Sequence, residues 1–84
     1  MKIVKISALW CPSCLIMSDV IDEVVSEKDM ELIKYDFDYD AEIVKKYNVG
    51  NILPVLILVN DKDEEIKRIV GEHSKKEIIE FMEG

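Results

Sequence analysis

The sequence predicts an α/β fold in which helices cover both faces of a mixed four-stranded sheet, with the element order β-α-β-α-β-β-α. Three observations predict this class. Segments rich in Ile and Val alternate with segments whose apolar residues recur at helical spacing. The uninterrupted apolar run Val55–Val59 is typical of a strand buried on both faces. Turn residues at positions 60–63 separate that run from a further strand, which predicts an antiparallel hairpin.

The first half of the chain predicts a β-α-β unit, which requires a parallel strand pair and a right-handed crossover. Lys2–Leu9 is rich in Ile and Val and predicts the first strand. The helix that follows begins at the cysteine pair and ends near Lys28–Asp29. Its predicted apolar face consists of Leu15, Ile16, Val20, Ile21, Val24 and Val25. Met30–Phe37 predicts the second strand.

The second half adds a short helix, the hairpin and a last helix. Asp40 is a candidate N-cap for the short helix, which ends before Gly50. Its predicted apolar side consists of Ile43, Val44 and Tyr47. Glu65–Val70 completes the hairpin. Ser74 begins the last helix, and Glu77 three residues later predicts a capping box. Its predicted apolar face consists of Ile78, Ile79, Phe81 and Met82.

Length and charge exclude several classes of protein. The 84 residues predict one domain, spanning 1–84, and 49% of them are apolar, which is too many for a disordered chain. The net charge of −7 leaves no basic stripe for phosphates, so nucleic acid is not an expected partner. No apolar stretch is long enough to cross a membrane. The first ten residues do not have the pattern of a signal peptide, and we therefore expect a cytoplasmic protein.

The two cysteines form the candidate reactive site. They are only three residues apart, and one bridge across so short a loop barely constrains the unfolded chain. We place Cys11 at the N-cap of the first helix, Pro12 at N1, Ser13 at N2 and Cys14 at N3. A sulfur at the N-cap can accept hydrogen bonds from the free amides of the first turn, and the helix dipole adds positive potential. Both effects favour the thiolate of Cys11, which is the attacking species.

The spacing of the pair predicts a two-step exchange reaction. Cys14 lies one turn further along the helix, so we expect a more buried and less ionised thiol there. Cys11 would attack the disulfide of a partner, and Cys14 would then resolve the mixed disulfide. The products would be the reduced partner and a Cys11–Cys14 bond.

At this point the chain resembles the thioredoxin superfamily. Trp10-Cys11-Pro12-Ser13-Cys14 is similar to the family's Trp-Cys-x-x-Cys active site, and Ile52-Leu53-Pro54 is similar to the segment that contains its cis-proline. The acidic turn and Gly71-Glu72 continue the match, which covers essentially the whole chain.

The resemblance implies a thioredoxin-like fold and a protein-disulfide reductase that uses no cofactor. Cys11 and Cys14 would be catalytic, and the substrate-binding residues would be Trp10, Pro12, Leu53 and Pro54. Pro54 would be cis and lie beside Cys11, and the backbone of Leu53 would pair with an extended substrate peptide. The implied partners are disulfide-containing proteins and an electron donor similar to thioredoxin reductase. Nothing in the sequence demands an oligomer, so we expect a monomer.

Three features depart from the family pattern. Lys5 stands six residues before Cys11, where thioredoxins usually have a buried acid; we expect its ammonium to reach the surface while its stem is buried. Pro-Ser lies between the cysteines, where typical thioredoxins have Gly-Pro. A proline in the first of these two positions is more typical of glutaredoxins. The segment from Val49 to Pro54 is one residue longer than usual, and the glutathione-binding Gly-Gly of glutaredoxins is not evident.

Several alternatives remain open at this stage. A zinc site would need two ligands besides the cysteines, and His73 is the one nitrogen candidate, so we expect no metal. Asp36, Asp38 and Asp40 have the opening spacing of a calcium loop, but the Gly and Glu required later in that loop are missing. The alternative functions are a glutathione-coupled, glutaredoxin-like protein and a redox-switched binding module with little turnover.

Overall fold

A four-stranded sheet forms the centre of the computed structural model, which describes residues 1–83; Gly84, the last residue of the predicted domain, lies outside that range. The strands are Lys2–Ser7 (β1), Glu31–Asp36 (β2), Val55–Val59 (β3) and Glu65–Val70 (β4). Their order across the sheet is β2-β1-β3-β4. β1 pairs with β2 in parallel and with β3 in antiparallel fashion, and β3 and β4 are also antiparallel. The predicted mixed sheet and its hairpin are confirmed.

Three helices cover the sheet: Pro12–Glu27 (α1), Ala41–Lys46 (α2) and Lys75–Glu83 (α3). α1 and α3 pack together on one face over a buried cluster of Ile3, Met17, Ile21, Val24, Val25, Leu56, Leu58, Ile78 and Phe81. α2 packs on the opposite face, where Ile43 and Val44 contact a cluster that includes Val4, Ile6 and both cysteines. Successive residues of a strand point to opposite faces, so β1 contributes to both clusters. Helices on both faces are therefore confirmed.

β3 is the most deeply buried strand, and all five of its residues are buried. It lies inside the sheet between β1 and β4 and has a helix-covered cluster on each face. This explains why its sequence is apolar at every position instead of alternating.

The predicted apolar face of α1 is wrong at its first turn. Leu15 and Ile16 were expected to be buried, but their exposed fractions are 69% and 65%. The buried positions are instead Cys14, Met17 and Ile21, which follow one another at helical spacing. Because apolar residues occupy 15, 16 and 17 consecutively, periodicity alone does not fix which of them faces the sheet.

All three predicted N-cap residues stand at the start of their helices, and two of them cap the helix with their side chains. Cys11 is the N-cap of α1 and Pro12 is its first residue, as predicted. At the start of α3, the Ser74 hydroxyl accepts a hydrogen bond from the Glu77 N–H and the Glu77 carboxylate accepts one from the Ser74 N–H, which confirms the capping box. Asp40 stands at the N-cap position of α2, but its carboxylate does not cap that helix. It accepts a hydrogen bond from the Asp36 N–H instead, at 2.8 Å, and thereby closes the preceding turn.

None of the helices within residues 1–83 is long and apolar enough to cross a membrane.

Candidate active site

The dithiol lies where β1 gives way to α1. The Cys11 backbone is extended (φ −96°, ψ 111°), and its sulfur accepts a hydrogen bond from the backbone N–H of Cys14 at 3.3 Å. The first turn of α1 contains no acidic side chain. The amides and the positive end of the helix dipole are therefore available to the Cys11 sulfur, which is the arrangement that favours a thiolate.

Both cysteines are free thiols, so the structure is that of the dithiol form. The expected difference in their burial is absent, since 6% of Cys11 and 5% of Cys14 is exposed. The chemistry of Cys14 nevertheless fits the expectation of a poorly ionised thiol. Burial raises the pKa of Cys14 to about 11, and its hydrogen bond with Cys11 acts in the same direction. Cys14 therefore keeps its proton while Cys11 reacts.

Leu53 and Pro54 lie directly beside the dithiol, as the resemblance implied. The Leu53–Pro54 peptide bond is cis, and the Cys11 thiol donates to the Leu53 carbonyl oxygen with a distance of 3.7 Å between sulfur and oxygen. The side chains of both residues are buried. Their side chains are therefore not available to a docking peptide, and the Pro54 carbonyl oxygen accepts the Gly71 N–H at 2.9 Å.

Trp10 is held in place at the surface beside the motif. Its indole N–H donates to the Asp38 carboxylate at 2.7 Å, and its ring packs against Phe37 in a T-shaped arrangement with 6.2 Å between the ring centroids. The side chain remains 56% exposed. Part of the Trp10 ring is thus packed against Phe37, and the rest faces solvent beside the motif.

Sequence reasoning missed Asp38 and Phe37 as residues that orient Trp10. The sequence contained a signal for this contact, because Phe37 and Asp38 directly follow β2. β2 runs parallel to β1, so both strands end at the same edge of the sheet, next to Trp10. The acidic segment does not resemble a cation site. The Asp36 carboxylate accepts hydrogen bonds from the N–H groups of Asp38 and Tyr39. In the part of the chain described, no cluster of three or more His, Cys, Asp or Glu side chains is arranged to hold a metal ion.

Four exposed apolar side chains also flank the motif and were not predicted as site residues. They are Leu9, Leu15, Ile16 and Ile52. Leu9 was assigned to the first strand, but β1 ends at Ser7. Leu15 and Ile16 were assigned to the core, and only the orientation of α1 shows that they face outward.

Lys5 is not at the surface, which corrects the expectation for this residue. Only 5% of it is exposed, and it lies in the central strand β1. Burial lowers the pKa of Lys5, and the neighbouring Lys34 acts in the same direction.

Comparison with known proteins agrees with this site. Residues 1–84 match the family model described as Thioredoxin. The thioredoxin of Rickettsia bellii is 30% identical over 77 residues, which cover 89% of this chain and 71% of the relative. A Mycobacterium leprae protein named bifunctional thioredoxin reductase/thioredoxin is 32% identical over 74 residues, covering 86% of this chain and 16% of that protein. The relatives named thioredoxin are longer, and this chain spans between 62% and 79% of their length.

A solved structure shows the same fold. Thioredoxin 1 of Thermosipho africanus superposes with a TM-score of 0.86 at 24% sequence identity, and the match covers 99% of this chain and 91% of that one. With the family match along its whole length and a Cys-x-x-Cys dithiol at the start of α1, the chain belongs to the thioredoxin family of thiol–disulfide oxidoreductases.

Proposed function

We propose that this chain reduces protein disulfides, with Cys11 as the nucleophile and Cys14 as the resolving thiol. The observation that carries the proposal is the position of the Cys11 sulfur, which caps α1 and accepts the Cys14 N–H. Thiolate is the reactive species in exchange, and this position supplies an amide donor and a helix dipole to the anion.

In the first step the Cys11 thiolate attacks one sulfur of the substrate disulfide. The substrate S–S bond breaks, its second sulfur leaves as a thiolate, and a mixed disulfide forms at Cys11. Before attack, the Cys11 thiol proton contacts the Leu53 carbonyl oxygen. Loss of that proton removes the contact, so the same carbonyl becomes free to accept an N–H from the substrate backbone.

In the second step Cys14 loses its proton to solvent and its thiolate attacks the Cys11 sulfur. The bond between Cys11 and the substrate breaks, the substrate leaves as a dithiol after protonation, and Cys11–Cys14 becomes a disulfide. The substrate gains two electrons and the protein loses two. The raised pKa of Cys14 keeps this thiol from competing with Cys11 in the first step.

We further propose that an extended, partly apolar peptide segment docks at this site. Trp10 and Pro12 offer exposed surface beside the sulfur, and Leu53 would contribute its backbone. Pro54 is buried and its carbonyl oxygen accepts the Gly71 N–H, so its role would be to position Leu53. The exposed Leu9, Leu15, Ile16 and Ile52 extend the apolar surface on the flanking segments. Removing such surface from water contributes about 25 cal/mol per Å².

The electron donor that we propose is an enzyme similar to thioredoxin reductase. The Mycobacterium leprae relative supports this donor, because its name describes a thioredoxin reductase and a thioredoxin in one protein. We also propose that residues 1–84 work as one domain, as a monomer and in the cytoplasm.

The decisive experiment is reduction of insulin by dithiothreitol with this protein present or absent. We expect acceleration by the native chain and none by Cys11→Ser. Cys14→Ser should attack but not resolve, so it should accumulate mixed disulfides with the substrate. No acceleration by the native chain would contradict the proposal. Recycling by glutathione at a rate equal to that with a thioredoxin reductase would favour the glutaredoxin-like alternative.

A further inference from the structure

The segment between α2 and β3 brings Leu53 to the dithiol, and few hydrogen bonds hold the middle of this segment. The Cys11 sulfur lies 3.7 Å from the Leu53 carbonyl oxygen. Residues 50–52 are exposed. Within residues 1–83, the backbone amides of residues 50–53 donate to no backbone carbonyl. The position of the Leu53 carbonyl therefore depends on how the two ends of the segment are held.

Both ends of the segment are held by β4 and the residue that follows it. At one end the Gly71 N–H donates to the Pro54 carbonyl oxygen at 2.9 Å. At the other end the Arg68 guanidinium donates to the carbonyl oxygen of Tyr47, the C-cap residue of α2. The last carbonyls of a helix have no partner within that helix. Within residues 1–83 no backbone amide donates to the Tyr47 carbonyl, so Arg68 is the group that satisfies it.

The side chain of Arg68 is held in the orientation that this contact needs. Its register partner is Ile57 of β3, which belongs to the buried cluster that contains both cysteines, so Arg68 lies on the α2 face of the sheet. Its Nε donates to one carboxylate oxygen of Glu65 at 2.6 Å, and its Nη2 donates to the other. The same Nη2 donates to the Tyr47 carbonyl. A planar guanidinium fixed by two bonds to a carboxylate directs its remaining donor in one direction.

Tyr47 links the Arg68 contact to the dithiol. Its side chain is buried in the same cluster as Leu53 and Cys11, and its hydroxyl donates to the Asp63 carbonyl oxygen at 3.0 Å. Without Arg68 the half-buried Tyr47 carbonyl would have no protein partner, which is unfavourable unless the backbone shifts to reach water. A shift at Tyr47 moves the beginning of the segment that carries Leu53.

We infer that Arg68 is a positioning residue for peptide substrates. By holding the Tyr47 carbonyl it fixes residues 48–53 and, with them, the Leu53 backbone that pairs with an extended substrate. Attack on a small disulfide without a peptide backbone does not use that pairing, so Arg68 favours peptide disulfides over other disulfides. This inference rests on the proposed function, because it concerns how the substrate docks beside Cys11.

The test compares two substrates of the same reduced protein. Insulin presents its disulfides within a peptide backbone, whereas dithiobis(nitrobenzoate) has none. Arg68→Met should raise KM for insulin and lower kcat/KM by about two- to tenfold, the range that corresponds to one lost hydrogen bond, with kcat unchanged. The stopped-flow rate of its attack on dithiobis(nitrobenzoate) should equal that of the native chain.

Lys67→Met is the matched control, because it removes the same charge from the neighbouring position of β4. The Lys67 ammonium lies on the α3 face, 5.1 Å from the centroid of the Phe81 ring, and makes no contact with the segment that carries Leu53. Lys67→Met should therefore keep the native KM for insulin. Arg68→Lys should recover part of the loss seen in Arg68→Met, because an ammonium can donate to the same carbonyl but cannot form the planar fork.

Three results would overturn the inference. They are equal losses with both substrates in Arg68→Met, a native KM for insulin in that variant, and an equal rise of KM in Lys67→Met. Arg68→Gln provides the same comparison if the Met variant does not give a native circular dichroism spectrum. A native chain that reacts with dithiobis(nitrobenzoate) but does not accelerate insulin reduction would instead contradict the proposed function.

Discussion

The helices α1 and α3 both begin with the same unsatisfied amides, but different side chains satisfy them. At α3 the Ser74 hydroxyl accepts the Glu77 N–H at 3.2 Å, and the Glu77 carboxylate accepts the Ser74 N–H at 2.9 Å. At α1 the Cys11 sulfur accepts the Cys14 N–H at 3.3 Å, and no acidic side chain lies in the first turn. One cap is closed by two reciprocal oxygens, whereas the other depends on a single sulfur.

The difference separates a structural helix start from a reactive one. Oxygen caps of the Ser74–Glu77 type stabilise a helix, and a carboxylate in the first turn also neutralises the positive end of the dipole. The first turn of α1 has no such carboxylate. The positive end of its dipole therefore acts on the Cys11 sulfur, which must become an anion in order to react. α1 therefore has a weaker cap than α3 and a more reactive one.

The largest effect that sharpens this comparison is the pH dependence of stability due to Cys14 in the first turn of α1. Its pKa is raised from the ordinary value of 9.0 to about 11, so the unfolded chain loses this proton first as pH rises. The reduced protein should have its full stability below pH 9 and lose about 3 kcal/mol as pH increases through 11.

Urea unfolding of the reduced protein at several alkaline pH values checks this loss. Lysines and tyrosines titrate in the same range, so the quantity of interest is the difference between the native chain and Cys14→Ser. Parallel declines in the two proteins would contradict the assignment to Cys14.

A middle-sized effect is expected from the cap of α3. Ser74→Ala removes the acceptor of the Glu77 N–H and should lower the free energy of unfolding by about 1 kcal/mol. Insulin reduction per folded molecule should stay the same, because neither Ser74 nor Glu77 takes part in the exchange. A marked loss of reductase activity in folded Ser74→Ala would break the distinction between the two helix starts.

The smallest effect tests whether the missing carboxylate at α1 matters. Ser13→Asp places a negative charge at the second position of the helix, where it should stabilise the helix by about 0.3–1 kcal/mol. The same charge should disfavour the Cys11 thiolate and slow its attack on dithiobis(nitrobenzoate) by up to about twofold. Ser13→Asn has nearly the same shape without the charge and serves as the control. Equal attack rates for the Asp and Asn variants would show that a carboxylate in the first turn does not weaken the effect of the helix dipole on the Cys11 sulfur.

Most of the fold could be predicted because its elements differ strongly in apolar pattern. The run Val55–Val59 and the Ser74–Glu77 capping box each had one sensible interpretation, and both are confirmed. The first turn of α1 was ambiguous, since Leu15, Ile16 and Met17 are all apolar and only packing against the sheet selects Met17. Asp40 stands at the predicted N-cap position of α2, but its carboxylate accepts the Asp36 N–H and not an amide of the helix, a choice that the apolar pattern does not contain.

By itself the sequence determined the order of the strands and helices, the Cys11 N-cap and the identity of the reactive pair, because these depend on local spacing and on helix-end chemistry. The tertiary structure decided which groups surround that pair. The hydrogen bond from Trp10 to Asp38, the Leu53 carbonyl beside Cys11 and the burial of Lys5 join residues that are distant in sequence or on different elements. Such contacts depend on how α1 is oriented on the sheet, and a one-dimensional pattern of apolar residues does not contain that angle.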